Sequence, residues 1–291
     1  MIIMAEHRLS SQSDSPYDGI ADCYDRARPD YPAAVLAILS VQAGELVADV
    51  GAGTGIFSRQ LAQSLPDARV IGVEPGADMR RAAEAASREV PNLSFVAGAA
   101  EALPFPDDSL ALVTAATAAH WFDRPLFYAE AFRCLRERGL LAIVQNVRRW
   151  WDSPFLAAYE ELHEQTVQGY RRGTFPAGGG RYAAIDAAGE LRGHPLASEV
   201  QEHAFYWRMP MTREAFVSFS LSSTITQRAI RGIGETAYLS RLAAILDRCD
   251  SSGAFDVPYV TRLVVAPKAS PSDRHAIRTE DRKTHTASAV R

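Results

Sequence analysis

Cysteine is scarce in this chain, with three among 291 residues. Cys23, Cys134 and Cys249 are odd in number and show neither paired nor metal-like spacing, so a disulfide framework and a metal site are not expected. A reducing, cytoplasmic setting fits that usage. Dense Lys/Arg blocks are also missing, and the formal net charge is −4. Proteins that bind a phosphate backbone display a basic face that releases counterions, so no nucleic-acid partner is expected. Long apolar runs are absent as well, and Met1-Ile2-Ile3-Met4 leads at once into Glu6, His7 and Arg8, too short for a signal h-region. No membrane partner is expected. No internal repeat is evident.

What is present is enough apolar material for a real core, 47% of the chain. A polar stretch to about Ser15 precedes a short amphipathic segment, Tyr17 to Ala27, that reads as a helix ending at Arg28-Pro29. From Tyr31 to about Val147, β-branched runs alternate with Ala-rich helical periods, the pattern of βαβ units around a mostly parallel sheet. Strands are expected at Leu46–Val50, Arg69–Val73, Leu93–Val96, Leu110–Thr114 and Leu140–Gln145, and helices near Ile56–Ser64, Ala77–Arg88 and Leu126–Leu135. Beyond Arg148 the alternation stops. Residues 148–199 read as an aromatic, helical cap that loosens at Gly178-Gly179-Gly180. Residues 200–266 supply two further apolar runs, Val200–Trp207 and Val257–Ala266, with helices between them. After Pro267 the composition is too polar to bury surface, and a disordered tail is expected. The fold class is therefore α/β, a doubly wound, Rossmann-like sheet with a helical cap.

The sharpest chemical signal is Val47-Ala48-Asp49-Val50-Gly51-Ala52-Gly53-Thr54-Gly55-Ile56-Phe57, an apolar strand running into a glycine-rich turn and a helix. A Cβ at Gly51 or Gly53 would obstruct a ligand approaching the backbone, while Gly55 lets helix and strand pack closely. Glu74 closes the following strand, about twenty residues on, where a carboxylate can accept bonds from ribose hydroxyls. A dinucleotide site would place its third glycine one residue later, and Asp49 would repel a pyrophosphate. The same acid can accept from an ammonium, and S-adenosylmethionine carries both an ammonium and a sulfonium. Three function classes stay in play: a small-molecule methyltransferase, which this pattern favours, a nucleotide-dependent oxidoreductase, and a non-catalytic donor-binding or interaction protein.

On these residues the chain resembles the class I S-adenosylmethionine-dependent methyltransferases, in a small-molecule branch marked by His120-Trp121-Phe122 after the fourth strand. The resemblance runs from about Tyr17 to Ala266. It implies strand order 3-2-1-4-5-7-6 with the seventh strand antiparallel, and S-adenosyl-L-methionine as cofactor. It makes Asp49, Gly51 and Gly53 the donor-binding turn, Glu74 the ribose carboxylate, Met79 a cover for adenine, and Gly98 to Phe105 the adenine loop. Many relatives have Asp after that loop's glycine. Ala99 stands there instead, which leaves the base to backbone groups around Ala100 and Glu101. Ordinary helix packing is an equal reading of Met79.

His120 follows the fourth strand, where this fold receives its acceptor; it is a candidate general base or a residue that positions the loop. Trp121 and Phe122 are candidate walls of the site. Tyr17, Tyr24 and Arg28 lie on a segment that, by resemblance, covers donor and acceptor. Arg28 has two readings, a clamp on a carboxylate or a surface partner of Asp30. Aromatic residues of the cap, Trp151 among them, either line an acceptor pocket or hold the cap down. No Asn-Pro-Pro-aromatic run follows the fourth strand, which speaks against methylation of nucleic-acid bases. The expected acceptor is an oxygen, nitrogen or carbon of a small metabolite, such as one of secondary metabolism, with a carboxylate or hydroxyl oxygen favoured.

Overall fold

The computed structural model describes residues 28–177, 181–249 and 254–270. The expected helix at Tyr17–Ala27, with Tyr17 and Tyr24, lies outside the described residues, as do the three glycines at 178–180 and the tail beyond 270.

A short helix, α1 (Ala33–Leu36), leads into β1 (Leu46–Val50), α2 (Ile56–Ser64), β2 (Arg69–Val73), α3 (Ala77–Ala86), β3 (Leu93–Val96) and β4 (Leu110–Ala116). The chain continues through α4 (Arg124–Cys134) into β5 (Leu135–Arg148) and α5 (Pro154–Thr166). A hairpin, β6 (Phe175–Ala177) and β7 (Arg181–Ala183), precedes α6 (Ala187–Arg192) and β8 (Gln201–Thr212). Three helices, α7 (Arg213–Leu221), α8 (Thr224–Ile233) and α9 (Glu235–Cys249), then lead to β9 (Ala254–Pro267).

Seven strands form one sheet in the order β3-β2-β1-β4-β5-β9-β8. The first five are parallel, and β9 inserts antiparallel between β5 and β8. This is the doubly wound order implied by the resemblance, once the separate β6–β7 hairpin is left out of the numbering. Side-chain alternation sends Val47, Leu112, Ala142 and Leu263 to one face, against Phe57 and Leu61 of α2. Ala48, Val113, Ile143 and Val264 go to the other, against Phe127 and Phe132 of α4. Helix starts follow local chemistry: Asp123, Ser153 and Thr212 each accept a backbone N–H of the first turn, and proline follows the first two closely.

The structure corrects several boundaries. The fifth strand extends to Arg148, and β8 and β9 also outrun the expected segments because they pair with each other over their whole length. Order continues past Pro267, where Lys268 and Ala269 donate backbone bonds to Gly139 and Leu196, and Ala269 and Ser270 are buried. The cap is not confined to residues 148–199. Its apolar core joins Tyr159 and Leu162 of α5 to Phe216, Ala229, Tyr238 and Leu242 of the three later helices.

Candidate active site

A cavity of about 460 Å³ lies at the C-terminal ends of the parallel strands, between the sheet and the cap. Open α/β sheets receive ligands at that edge because neighbouring loops diverge there. The Gly51–Gly55 turn, Glu74 and Met79 line one end. Arg28, His120, Asn146, Arg148, Glu160 and Tyr259 line the other.

At the first end, all three glycines of the turn adopt positive φ, between 57° and 79°. Their roles differ. A Cβ on Gly53 would meet no atom of the described residues within 4 Å, and Gly53 lines the cavity, so the space beside it is open to a ligand. A Cβ on Gly51 would lie 2.6 Å from the Ala118 Cβ and 2.9 Å from the Phe122 ring. The lack of a side chain at Gly51 therefore serves packing against the loop after β4, while Gly51 itself still lines the cavity. Gly55 admits Phe95, whose ring would lie 2.8 Å from its Cβ.

The Glu74 carboxylate accepts the Gly53 N–H at 2.9 Å and the Gly76 N–H at 2.7 Å, which fixes it at the cavity edge. Each oxygen keeps acceptor capacity for a further donor such as a ribose hydroxyl. Burial raises its pKa against the lowering effect of those two bonds. Asp49 is fully buried beneath the turn and accepts from Ser58 Oγ at 2.5 Å and Thr114 Oγ1 at 2.8 Å. Burial nevertheless pushes its pKa up to about 6. Two carboxylates and an open glycine backbone at one end suit a ligand carrying an ammonium and a vicinal diol. Met79 is buried and lines the same end.

Ala100 and Glu101 stand apart from the cavity lining. Ala100 packs into the core beside Leu103, and the Glu101 carboxylate accepts the Asp123 N–H at 2.8 Å at the start of α4. Their side chains close the loop onto α4.

At the second end, His120 lies 5.2 Å from the rings of both Trp121 and Phe175, and its Nδ1 is buried without a hydrogen-bond partner among the described residues. Burial, with the positive charges of Arg28 and Arg124, takes its pKa down to about 3. The imidazole is neutral at physiological pH but a weak proton acceptor. Trp121 lines the cavity, whereas Phe122 turns under the glycine turn and meets Phe127 edge-on. Trp151 is 48% exposed and absent from the lining; its neighbour Trp150 takes that place. Arg28 lines the cavity, donates to the Ser222 carbonyl at 3.2 Å and lies over the Phe219 ring.

Further residues complete this end, among them Asn146, Arg148 and Glu160, which the sequence did not single out. Arg148 donates to Glu160 at 2.9 Å, and Tyr170 donates to the same carboxylate at 2.5 Å. Asn146 and Arg148 occupy the end of β5, and polar residues closing an apolar strand at the ligand-binding edge were the signal available for finding them.

With this geometry in place, the chain can be set beside known proteins. Residues 48–143 match the family model described as a methyltransferase domain. Over 204 residues the chain is 28% identical to an uncharacterized methyltransferase-like protein of Schizosaccharomyces pombe, covering 66% of this chain and 78% of that one. An uncharacterized methyltransferase of Mycobacterium tuberculosis is 36% identical over 125 residues, 43% of this chain and 49% of that one. In several such matches the chain spans about half the length of the curated relative. Among solved structures, a chain from Anaeromyxobacter dehalogenans described as a methyltransferase aligns with TM-score 0.58 and 22% identity, over 83% of this chain and 96% of that one. A phosphoethanolamine N-methyltransferase of Haemonchus contortus aligns with TM-score 0.51 and 14% identity, over 86% and 57%. The structural likeness establishes the fold, and the family match and relatives support a methyltransferase. Among the described residues, no helix is long and apolar enough to cross a membrane, and no His, Cys, Asp or Glu cluster is grouped to hold a metal ion.

Proposed function

We propose that the chain transfers a methyl group from S-adenosyl-L-methionine to a small-molecule acceptor. The observation that carries this reading is the pairing, in one cavity, of open space beside the Gly53 backbone with the Glu74 and Asp49 carboxylates. The residues present fit the donor. Glu74 accepts from ribose hydroxyls, Asp49 supplies negative potential toward the ammonium, Gly53 leaves room for close approach, and Met79 offers an apolar surface to adenine. The same two acids disfavour a pyrophosphate, and hence a nicotinamide dinucleotide. The structural neighbour from Haemonchus contortus is described in complex with S-adenosylhomocysteine and an acceptor, in keeping with a ternary site on this fold.

The bound donor supplies a methyl group already activated by its positive sulfur. The protein's task is then alignment and exclusion of water. Held in attack geometry, two reactants gain about 7–11 kcal/mol over free encounter, more than one proton transfer usually contributes. The cap helices and the Trp121 and Phe175 rings wall off the cavity for that purpose, while His120 shapes the acceptor end.

The test is calorimetric titration of the purified chain with S-adenosylmethionine, S-adenosylhomocysteine and NAD. Binding of the first two without NAD is expected. NAD binding alone would replace this reading with an oxidoreductase, and binding of none of them would favour a non-catalytic protein.

A further inference from the structure

The two ends of the cavity differ in charge. The turn end carries Asp49 and Glu74. Among the described residues, the opposite end carries the guanidinium groups of Arg28 and Arg148 together with the carboxylate of Glu160. The two cations cluster around Phe219, with Arg28 at 4.9 Å and Arg148 at 5.2 Å from its ring centroid.

Hydrogen-bond direction adds to this charge. In the β8–β9–β5 part of the sheet, Trp207 lies opposite Tyr259, Tyr259 opposite Arg148, and Thr261 opposite Asn146. Directly paired residues, and residues two apart on one strand, share a face, so these side chains stand together. The Trp207 indole N–H can only donate, and it donates to Thr261 Oγ1 at 2.9 Å. Thr261 passes its own hydrogen to Asn146 Oδ1 at 2.6 Å. Flipping the amide would leave that buried hydroxyl hydrogen without an acceptor. The relay therefore holds the Asn146 oxygen toward the sheet and turns its NH₂ to the cavity side. Beside it, Arg148 Nε and the Tyr259 hydroxyl are buried with no hydrogen-bond partner among the described residues. Three donors converge beside Glu160, whose carboxylate is already engaged by Arg148 and Tyr170.

We propose that the acceptor is a carboxylic acid bound as its anion by Asn146 and Arg148, with Trp207 and Thr261 as positioning residues that orient the Asn146 amide, and that a carboxylate oxygen is methylated. This rests on the methyltransferase reading above. In the step, a carboxylate oxygen forms a bond to the donor's methyl carbon as the carbon–sulfur bond breaks, and the electron pair of that bond stays on sulfur. Carboxylate and sulfonium become a neutral methyl ester and a neutral thioether, and no proton moves. The weak basicity of His120, and the low pKa that Glu160 keeps against burial through its pairing with Arg148, then leave no deficit, because this acceptor arrives deprotonated.

The experiment uses the full chain saturated with S-adenosylhomocysteine and titrated calorimetrically with benzoate, phenylacetate, hexanoate and succinate, each beside its carboxamide and primary alcohol. In parallel, each compound is incubated with methyl-tritiated S-adenosylmethionine, and label released as volatile methanol by alkali is counted. Acids are expected to bind and give alkali-labile label, and amides and alcohols to do neither. Asn146→Asp keeps the bond from Thr261 but replaces the amide donors by a carboxylate, and should weaken acid binding about tenfold or more. Trp207→Phe frees the amide to flip and should cost about threefold, with the S-adenosylhomocysteine affinity of both variants unchanged. Alkali-stable label, equal binding of amides or alcohols, unchanged acid binding in Asn146→Asp, or no acid bound while S-adenosylhomocysteine still binds would each overturn the proposal. Loss of S-adenosylhomocysteine binding by the unmodified chain would count against the methyltransferase reading instead.

Discussion

The sheet and the cap each bury an apolar core but treat polar groups differently. In the sheet core, β1 and β4 are almost uniformly buried and apolar, and Asp49, with its partners Ser58 and Thr114, is an isolated polar intrusion beneath the glycine turn. The cap is threaded with hydroxyls. Tyr159, Ser220, Thr226 and Tyr238 bond one another at 2.8–3.4 Å, and His163 Nε2 joins Thr226 and Tyr238 at 3.1 Å. Beside this network lies the Arg148–Glu160 pair, with 18% and 4% of its side chains accessible. An apolar sheet tolerates approximate sequence because dispersion and area burial are not directional. A buried polar network specifies one arrangement, since each unmade bond costs a desolvation penalty. The donor end is thus built on a permissive scaffold, and the acceptor end on a demanding one.

The largest effect expected from breaking this contrast is in the cap. Glu160→Gln leaves the Arg148 guanidinium buried without its counter-charge and should cost about 3–5 kcal/mol, read as a lowered denaturant midpoint. In the sheet, removing the polar intrusion should have the opposite sign. Asp49 has its pKa raised from 3.8 to about 6, so the folded protein binds more protons than the unfolded chain between those values, and stability falls as pH rises through them. At pH 7 that amounts to about 3 kcal/mol, which Asp49→Asn should recover. The variant should melt higher at pH 7, lose the dependence between pH 4 and 6, and bind S-adenosylhomocysteine more weakly. An unchanged melting curve would show that Asp49 is not held strained beneath the turn. In the unaltered protein, donor affinity should drop as pH falls below about 6, where Asp49 takes up a proton.

Glu74→Ala removes the acceptor of the Gly53 and Gly76 N–H groups and the site for ribose hydroxyls, and should weaken S-adenosylhomocysteine binding about a hundredfold in calorimetry. His120 sits at the seam between the two regions and should matter least. His120→Ala is expected to leave donor affinity intact and lower turnover by less than about tenfold, because an imidazole titrating near 3 contributes little as a base at neutral pH. A loss of a thousandfold would instead restore it as the base.

The sheet was the more legible region. The first four strands start where expected, and β1, β2 and β3 also end there, because buried parallel strands must be apolar along a short, continuous stretch. The turn from Asp49 to Gly55 was equally visible, since positive φ and close packing restrict those positions to glycine. Sequence set Gly55 apart as a packing position but did not separate Gly51 from Gly53, because what lies against each Cβ comes from elsewhere: Phe122 and Ala118 at Gly51, Phe95 at Gly55, and the cavity at Gly53. It pointed to Trp151 where Trp150 lines the cavity, because a short 3₁₀ turn sets which of two adjacent rings faces inward.

By itself the sequence determined the doubly wound core and its donor-side turn, because periodicity, turn geometry and a following acid are encoded within about thirty consecutive residues. Only the tertiary structure decided the acceptor end. Arg28, Asn146, Glu160, Thr261 and Trp207 are brought together from five separate parts of the chain by antiparallel pairing of β5, β9 and β8 and by closure of the cap. Their chemistry lies in hydrogen-bond direction and local charge, which exist only once those groups share a desolvated space.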